Sequence, residues 1–245
     1  MVKTRAIARI DIKNNHVIKG IQLEGLRKVG DPKKLIQKYY KGGIEEILLL
    51  DCVATLYGRN NLFQFLKEIS TECFVPITIG GGIRNLVDVE QALDSGADKI
   101  YVNSQLVRNK SFIEEIIFNY GSQVLVAGID AKKNGDDWKV LIDSGREETD
   151  LLIEDWVNFI VNKGVGEIMI TSIDMEGCKN GFDIDLIKKV SKISKVPLIA
   201  SGGCGSLAHI NNLSRSIKIE GISFASALHY NLLEINQIKK ALQND

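Results

Sequence analysis

The chain has 245 residues, room for one large domain or two small ones of about 100–200 residues each, with a sizeable core. Its 31 Lys and Arg balance 31 Asp and Glu, which argues against a nucleic-acid binder or a polybasic membrane binder, because both depend on excess positive charge. With 44% hydrophobic and 25% charged residues it is too apolar to be disordered, and no run approaches the ~18 apolar residues that span a bilayer, so a folded, soluble, cytoplasmic protein is expected.

The opening MVKTRAIARIDIK is broken by charges before a signal-peptide core could form, and it contains the first strand candidate, RAIARID. Alternation sends Arg5, Ile7, Arg9 and Asp11 to one face. A helix is predicted from Asp31 to Gly42: Pro32 suits its first turn, Leu35, Ile36, Tyr39 and Tyr40 form one apolar face, and Gly42 and Gly43 stop it. EILLLDC, VPITIG and KIYVN follow, with Lys99, Tyr101 and Asn103 sharing a face. After QVLVAGID, the stretch from Asp150 to Gly164 is predicted to repeat the helix design around Ile153, Trp156, Val157 and Ile160. EIMITSID, VPLIAS and GISFAS complete eight strand-then-helix units, which imply a parallel sheet. The cysteines, Cys52, Cys73, Cys178 and Cys204, are widely spaced without a CxxC pair, and His16, His209 and His229 are the other soft ligands, so neither a metal centre nor a disulfide scaffold is expected.

The units also repeat. Asp11 answers Asp130, Asp51 answers Asp174, Gly81 answers Gly202 and Asn103 answers Ala225, at offsets of 119, 123, 121 and 122 residues. A near-constant offset of half the chain suggests two four-strand halves, about 1–120 and 121–245, closing a (β/α)8 barrel as one domain over 1–245, since half a barrel would leave its edges and inner face uncovered. An open doubly wound sheet is the alternative.

Such barrels do chemistry at the rim where strands end and loops begin. Asp11 and Asp130 come from opposite halves and are expected to face each other there, as general acid and base if their environments separate their pKa values. A single aspartate at a strand end would more simply cap the next turn; the symmetric pair favours chemistry. The glycine-rich turns TIGGGIR (Gly80, Gly81, Gly82) and ASGGCGS (Gly202, Gly203, Gly205) follow related strands, each succeeded one strand later by Asn103-Ser104 or Ala225-Ser226. Glycines also serve plain turns, but two such pairs point to two phosphate sites and a substrate phosphorylated at both ends.

RIDIKNNHVIKG, GLRKVGDP, TIGGGIR, GSQVLVAGIDAK, GEIMITSID and IASGGCGS, in this order and over nearly the full length, resemble the cyclase-subunit family of imidazole glycerol phosphate synthase. The sister isomerase family shares the duplication but is less similar in the first loop and in SQVLVAGIDAK. The resemblance implies a lyase of histidine biosynthesis: ammonia attacks the ketone of a phosphoribulosyl formimino carboxamide ribonucleotide, giving imidazole glycerol phosphate and aminoimidazole carboxamide ribonucleotide. It implies acid and base roles for Asp11 and Asp130 and substrate contact by Lys19 on a mobile first loop, where a solvated lysine would otherwise be the simpler reading. Gly82, Asn103 and Ser104 would form one phosphate site, Gly177, Gly203, Ala225 and Ser226 the other, with Asp174 also on the substrate. No metal or organic cofactor is implied. The implied partner is a glutaminase in a heterodimer, docked beneath the barrel, whose ammonia passes a gate of Arg5, Glu46, Lys99 and Glu167. Without the family, those four charges read as a structural salt-bridge cluster.

The chain departs from that family inside the barrel. Arg9 and Tyr101 stand where a cysteine and a serine are usual, and Arg9 needs a carboxylate partner, Asp11 or Asp51, whose pKa it would lower. Gly128 replaces an alanine beneath Asp130 and would make room; MEGC replaces an acidic-glycine-threonine turn, and Val53 a threonine. Two bulky residues in the middle layer would narrow or close an ammonia path. Three functions therefore stand: the histidine-pathway cyclase, favoured by Asp11, Asp130 and Lys19; a paralogue whose glutaminase feeds amidination of a surface sugar; and a non-catalytic barrel binding a phosphorylated ligand. Arg9 and Tyr101 favour the last two, and neighbouring genes would separate the pathways.

Overall fold

Strands that are apolar on both faces must be covered on both, and the eight short runs meet this by closing on themselves. The computed structural model describes residues 4–52 and 62–243, so Val53 lies outside the described residues. Its strands are β1 (Arg5–Lys13), β2 (His16–Ile21), β3 (Glu24–Gly30), β4 (Glu46–Asp51), β5 (Ile77–Gly80), β6 (Lys99–Val102), β7 (Leu125–Asn134), β8 (Asp137–Ile142), β9 (Glu147–Leu152), β10 (Glu167–Ser172), β11 (Leu198–Ser201) and β12 (Gly221–Phe224). Eight of them pair in parallel in the cyclic order β1, β4, β5, β6, β7, β10, β11, β12 and back to β1. Helices between them cover the ring, which is the closed (β/α)8 barrel expected from the eight units rather than the open sheet.

Alternation divides the side chains as the pattern in RAIARID requires. Ala6, Ala8, Ile10 and Ile12 join the belt between barrel and helices, while Ile7 packs inside with Leu48, Leu50, Tyr101, Val126, Met169 and Ile199. The first helix, Pro32–Lys41, begins as its sequence dictates. The Asp31 carboxylate accepts from the Lys34 N–H at 2.9 Å, Pro32 occupies the first turn, and Ile36 and Tyr39 are buried.

Two hairpins differ from the sequence reading. β2 and β3 fold back antiparallel on the end of β1, and β8 and β9 do the same on β7. Asp150 therefore lies in β9, and its helix runs only from Ile153 to Asn162, starting after Leu152 without a side-chain cap. Pairing of Leu152 with Lys139 and of Glu148 with Leu141 outweighs the capping preference of Asp150, while Ile153, Trp156, Val157 and Ile160 are buried as the periodicity requires. The hairpins meet over the mouth of the barrel. Gly145, in the β8–β9 turn at φ +77, packs so tightly on Leu23, in the β2–β3 turn, that an added Cβ would lie 2.8 Å from its Cδ1.

Candidate active site

The inward residues of β1 climb from Arg5 through Ile7 and Arg9 to Asp11, roughly 20 Å along a strand rising ~3.3 Å per residue. At the bottom, Arg5 pairs with Glu46 and Glu167, and Lys99 with Glu167 at 2.9 Å and Glu46 at 3.6 Å. The four expected gate residues thus form one ring, tied to the wall by Thr78 Oγ1 donating to Glu46 at 3.0 Å. Above it lies the apolar cluster, and there Tyr101 is seated over Gly128. A Cβ at residue 128 would fall 2.0 Å from the Tyr101 ring, so the glycine supplies the room for the tyrosine.

Higher still, Arg9 is only 4% exposed. Its Nε donates to Asp11 Oδ1 at 2.8 Å, and Nη1 donates to Thr171 Oγ1 at 3.4 Å and Ser201 Oγ at 3.3 Å. The carboxylate partner expected for this arginine is therefore Asp11. Lys19 belongs to β2 and is 3% exposed, a correction to the mobile-loop, solvated reading. The hairpin carries it over the mouth, where Nζ donates to Asp11 Oδ2 at 3.3 Å and to the buried carboxylate of Glu176. The hairpin is clamped there: the Gln22 N–H donates to the Glu176 carbonyl at 2.7 Å, and Gly177, at φ +75, packs on the Gly20 carbonyl.

Asp11 and Asp130 lie within their strands, opposite Leu50 and Thr171 in register, and not at the strand ends. Both are buried, yet their proton affinities separate. Burial disfavours the Asp11 anion, but Arg9 and Lys19 outweigh it and hold its carboxyl at about 2. Asp130 is pushed up to about 6 by burial and by the charge of Asp11, with Arg9 and the Asn103 amide, 2.9 Å away, opposing in part. His229, beside this group, is lowered to about 4 by burial.

Two clefts flank the pair. Gly82, Asn103, Ser104 and Asp130 line an open cleft, together with Arg84 and Arg108. Gly177, Gly203, Ala225 and Ser226 line a much smaller one, together with Glu176. Their backbones match across the halves. Gly82 and Gly203 have φ +77 and +98, and Asn103 and Ala225, each leading into a short helix, share an uncommon conformation at φ −120, ψ −89 and φ −121, ψ −80. First-turn N–H groups of a helix have no intrahelical acceptor, so both clefts offer donors to an anion. The Ser223 and Ser226 hydroxyls are buried without a partner among the described residues, consistent with a polar occupant of the smaller cleft. Ser104 is already engaged, its Oγ accepting from the Asp143 N–H at 2.9 Å.

Of the expected substrate residues, Lys19 and Asp174 line neither cleft; Lys19 lies over the mouth against Asp11, and what holds Asp174 is a backbone contact. The Asp174 Oδ2 accepts from the Lys133 N–H at 2.8 Å, which ties the loop after β10 to β7. Sequence reasoning passed over Glu176, quoted only within MEGC, and the hydroxyls of Thr171 and Ser201; strand alternation in EIMITS and LIAS would have placed the last two on the inner face.

The description "Histidine biosynthesis protein" belongs to a family that matches residues 5–234. The chain is 46% identical over 213 residues to the imidazole glycerol phosphate synthase subunit HisF of Legionella pneumophila, covering 86% of this chain and 100% of the relative. It is 41% identical over 242 residues to the HisF subunit of Clostridium beijerinckii (98% and 96% covered) and 38% identical over 244 residues to that of Streptococcus gordonii (99% and 97%).

Proposed function

The chain belongs to the histidine biosynthesis protein family, and on that premise we propose that it is the cyclase subunit of imidazole glycerol phosphate synthase, a lyase. Ammonia adds to the ketone of the phosphoribulosyl formimino carboxamide ribonucleotide. The adduct loses water and closes on the formimino carbon, and the bond to the departing aminoimidazole carboxamide ribonucleotide breaks. Each stage moves a proton: onto the ketone oxygen, off the attacking nitrogen, onto the leaving nitrogen. The observation that carries the reading is the buried carboxylate pair with unlike surroundings, between two glycine turns of matching backbone. In it, Asp130 exchanges protons near neutrality and Asp11 is the fixed anion opposite. Gly82, Asn103 and Ser104 hold one phosphate, Gly177, Gly203, Ala225 and Ser226 the other, and Lys19 reaches the substrate from β2.

A glutaminase docked beneath the barrel supplies the ammonia in this reading, with Arg5, Glu46, Lys99 and Glu167 as its gate, in the cytoplasm. One observation favours a second reading, the paralogue whose glutaminase feeds amidination of a surface sugar: Tyr101 over Gly128 fills the interior between ring and mouth. Purified chain assayed with the ribonucleotide and ammonium salt at alkaline pH separates the two. Turnover supports the cyclase; binding without turnover overturns it.

A further inference from the structure

The two aspartates are held very differently. Asp11 accepts on both oxygens from buried cations, Arg9 at 2.8 Å and Lys19 at 3.3 Å, whereas Asp130 accepts a neutral amide hydrogen from Asn103 at 2.9 Å. Arg9 is itself fixed, because its Nη1 reaches Thr171 on β10 and Ser201 on β11 across the barrel. A planar fork committed on two sides has one placement, and that placement fixes one carboxylate oxygen.

The groups around Asp11 are Arg9 on β1, Lys19 on β2 with its partner Glu176 after β10, Cys52 just after β4, Tyr101 on β6, Asp130 on β7 and His229 after β12, while the half-buried Asp51 acts on Cys52. The Cys52 thiol and the Tyr101 phenol are raised by burial and His229 is lowered by it, so all three are uncharged near neutrality. Among the buried charges, Arg9 and Lys19 balance Asp11 and Glu176, and the charge left over is that of Asp130. A proton entering this cluster restores neutrality when it goes to Asp130.

We propose that Arg9 is a positioning residue for the reaction: it locks Asp11 as a fixed, hydrogen-bonded anion and so assigns the proton traffic of the pair to Asp130. The kinetic half of this rests on the cyclase reading; the ionisation half does not. Carbon-13 carboxyl titration of the unmodified chain, assigned with Asp11→Asn and Asp130→Asn, tests the latter without any activity. The expected result is a step near 6 for Asp130 and an Asp11 signal that stays ionised down to about 2. An Asp11 step at or above the ordinary 3.8 overturns the proposal, and this measurement decides it even where an Arg9 variant fails to fold. In Arg9→Met, removal of the cation raises the affinity of both carboxylates for protons, so the kcat/KM profile with ammonium salt is expected to move to higher pH by about one unit, and Arg9→Lys to move it back. A lower kcat in Arg9→Met with unmoved limbs would reduce Arg9 to a packing role and overturn the proposal. If the unmodified chain shows no turnover while the titration gives the expected steps, the cyclase reading fails and the hold of Arg9 on Asp11 stands.

Discussion

Replacing Asp11 or Asp130 by asparagine removes a member of the proposed catalytic pair in each case, and each substitution is expected to lower kcat by about 100-fold or more with little change in KM, since neither residue is a proposed phosphate ligand. Steady-state assays with ammonium salt check this, and near-normal turnover in either variant would remove that residue from the chemistry. Their effects on stability should have opposite signs. Asp130 binds its proton more tightly folded, at about 6, than at its ordinary 3.8. Its penalty is absent below about pH 4, grows as pH rises through 6 and is complete at pH 8, so Asp130→Asn is expected to stabilise the fold there by about 3 kcal/mol. Asp11 is shifted the other way, to about 2. Its contribution is present above about pH 4 and is lost as pH falls toward 2, and Asp11→Asn leaves Arg9 without a carboxylate, a loss of about 3–5 kcal/mol. Urea unfolding at pH 8 reads both signs, and destabilisation by Asp130→Asn would contradict the raised affinity of this carboxyl.

Tyr101 on β6 and Gly128 on β7 act as one packing unit. Gly128→Ala places a methyl group inside the Tyr101 ring and is expected to destabilise by about 1–3 kcal/mol through overpacking. Tyr101→Ser should recover most of that loss, a non-additivity that a double-mutant cycle measures; additive losses would show that the two residues do not share the space. The sequence made this pair legible because strand period is a local property: the inward turn of Arg9 and Tyr101 follows from counting by two. The hairpins were not legible. HVIKGI and EGLRKVG are polar enough to read as a loop, and Asp150 before an apolar period imitates a helix cap, yet antiparallel pairing onto the free ends of β1 and β7 decides both. The family resemblance named Lys19 for the site, but its burial was not legible, because its partner Glu176 is 157 residues away.

For the barrel as a whole, bottom ring and mouth are separated by a filled interior in which Tyr101 is 7% exposed. With a cognate glutaminase, turnover is therefore expected to be much faster with ammonium salt than with glutamine, and Arg9→Cys combined with Tyr101→Ser to narrow the gap. Equal rates from the two nitrogen sources in the unmodified chain would mean that the interior opens. The ring at the far end has an electrical consequence of its own. Its charges alternate in sign from Arg5 to Glu46 to Lys99 to Glu167, so net charge is zero, opposed dipoles largely cancel, and what remains is a quadrupole whose field fades within a few ångströms. Taken by itself the ring neither draws nor repels ions from a distance, and because its contacts of 2.9 and 3.6 Å lie far inside the Debye length of about 10 Å at 0.1 M salt, ionic strength barely loosens it. Its four side chains already satisfy one another, so the ring acts on its surroundings through contact and not through a far-reaching field.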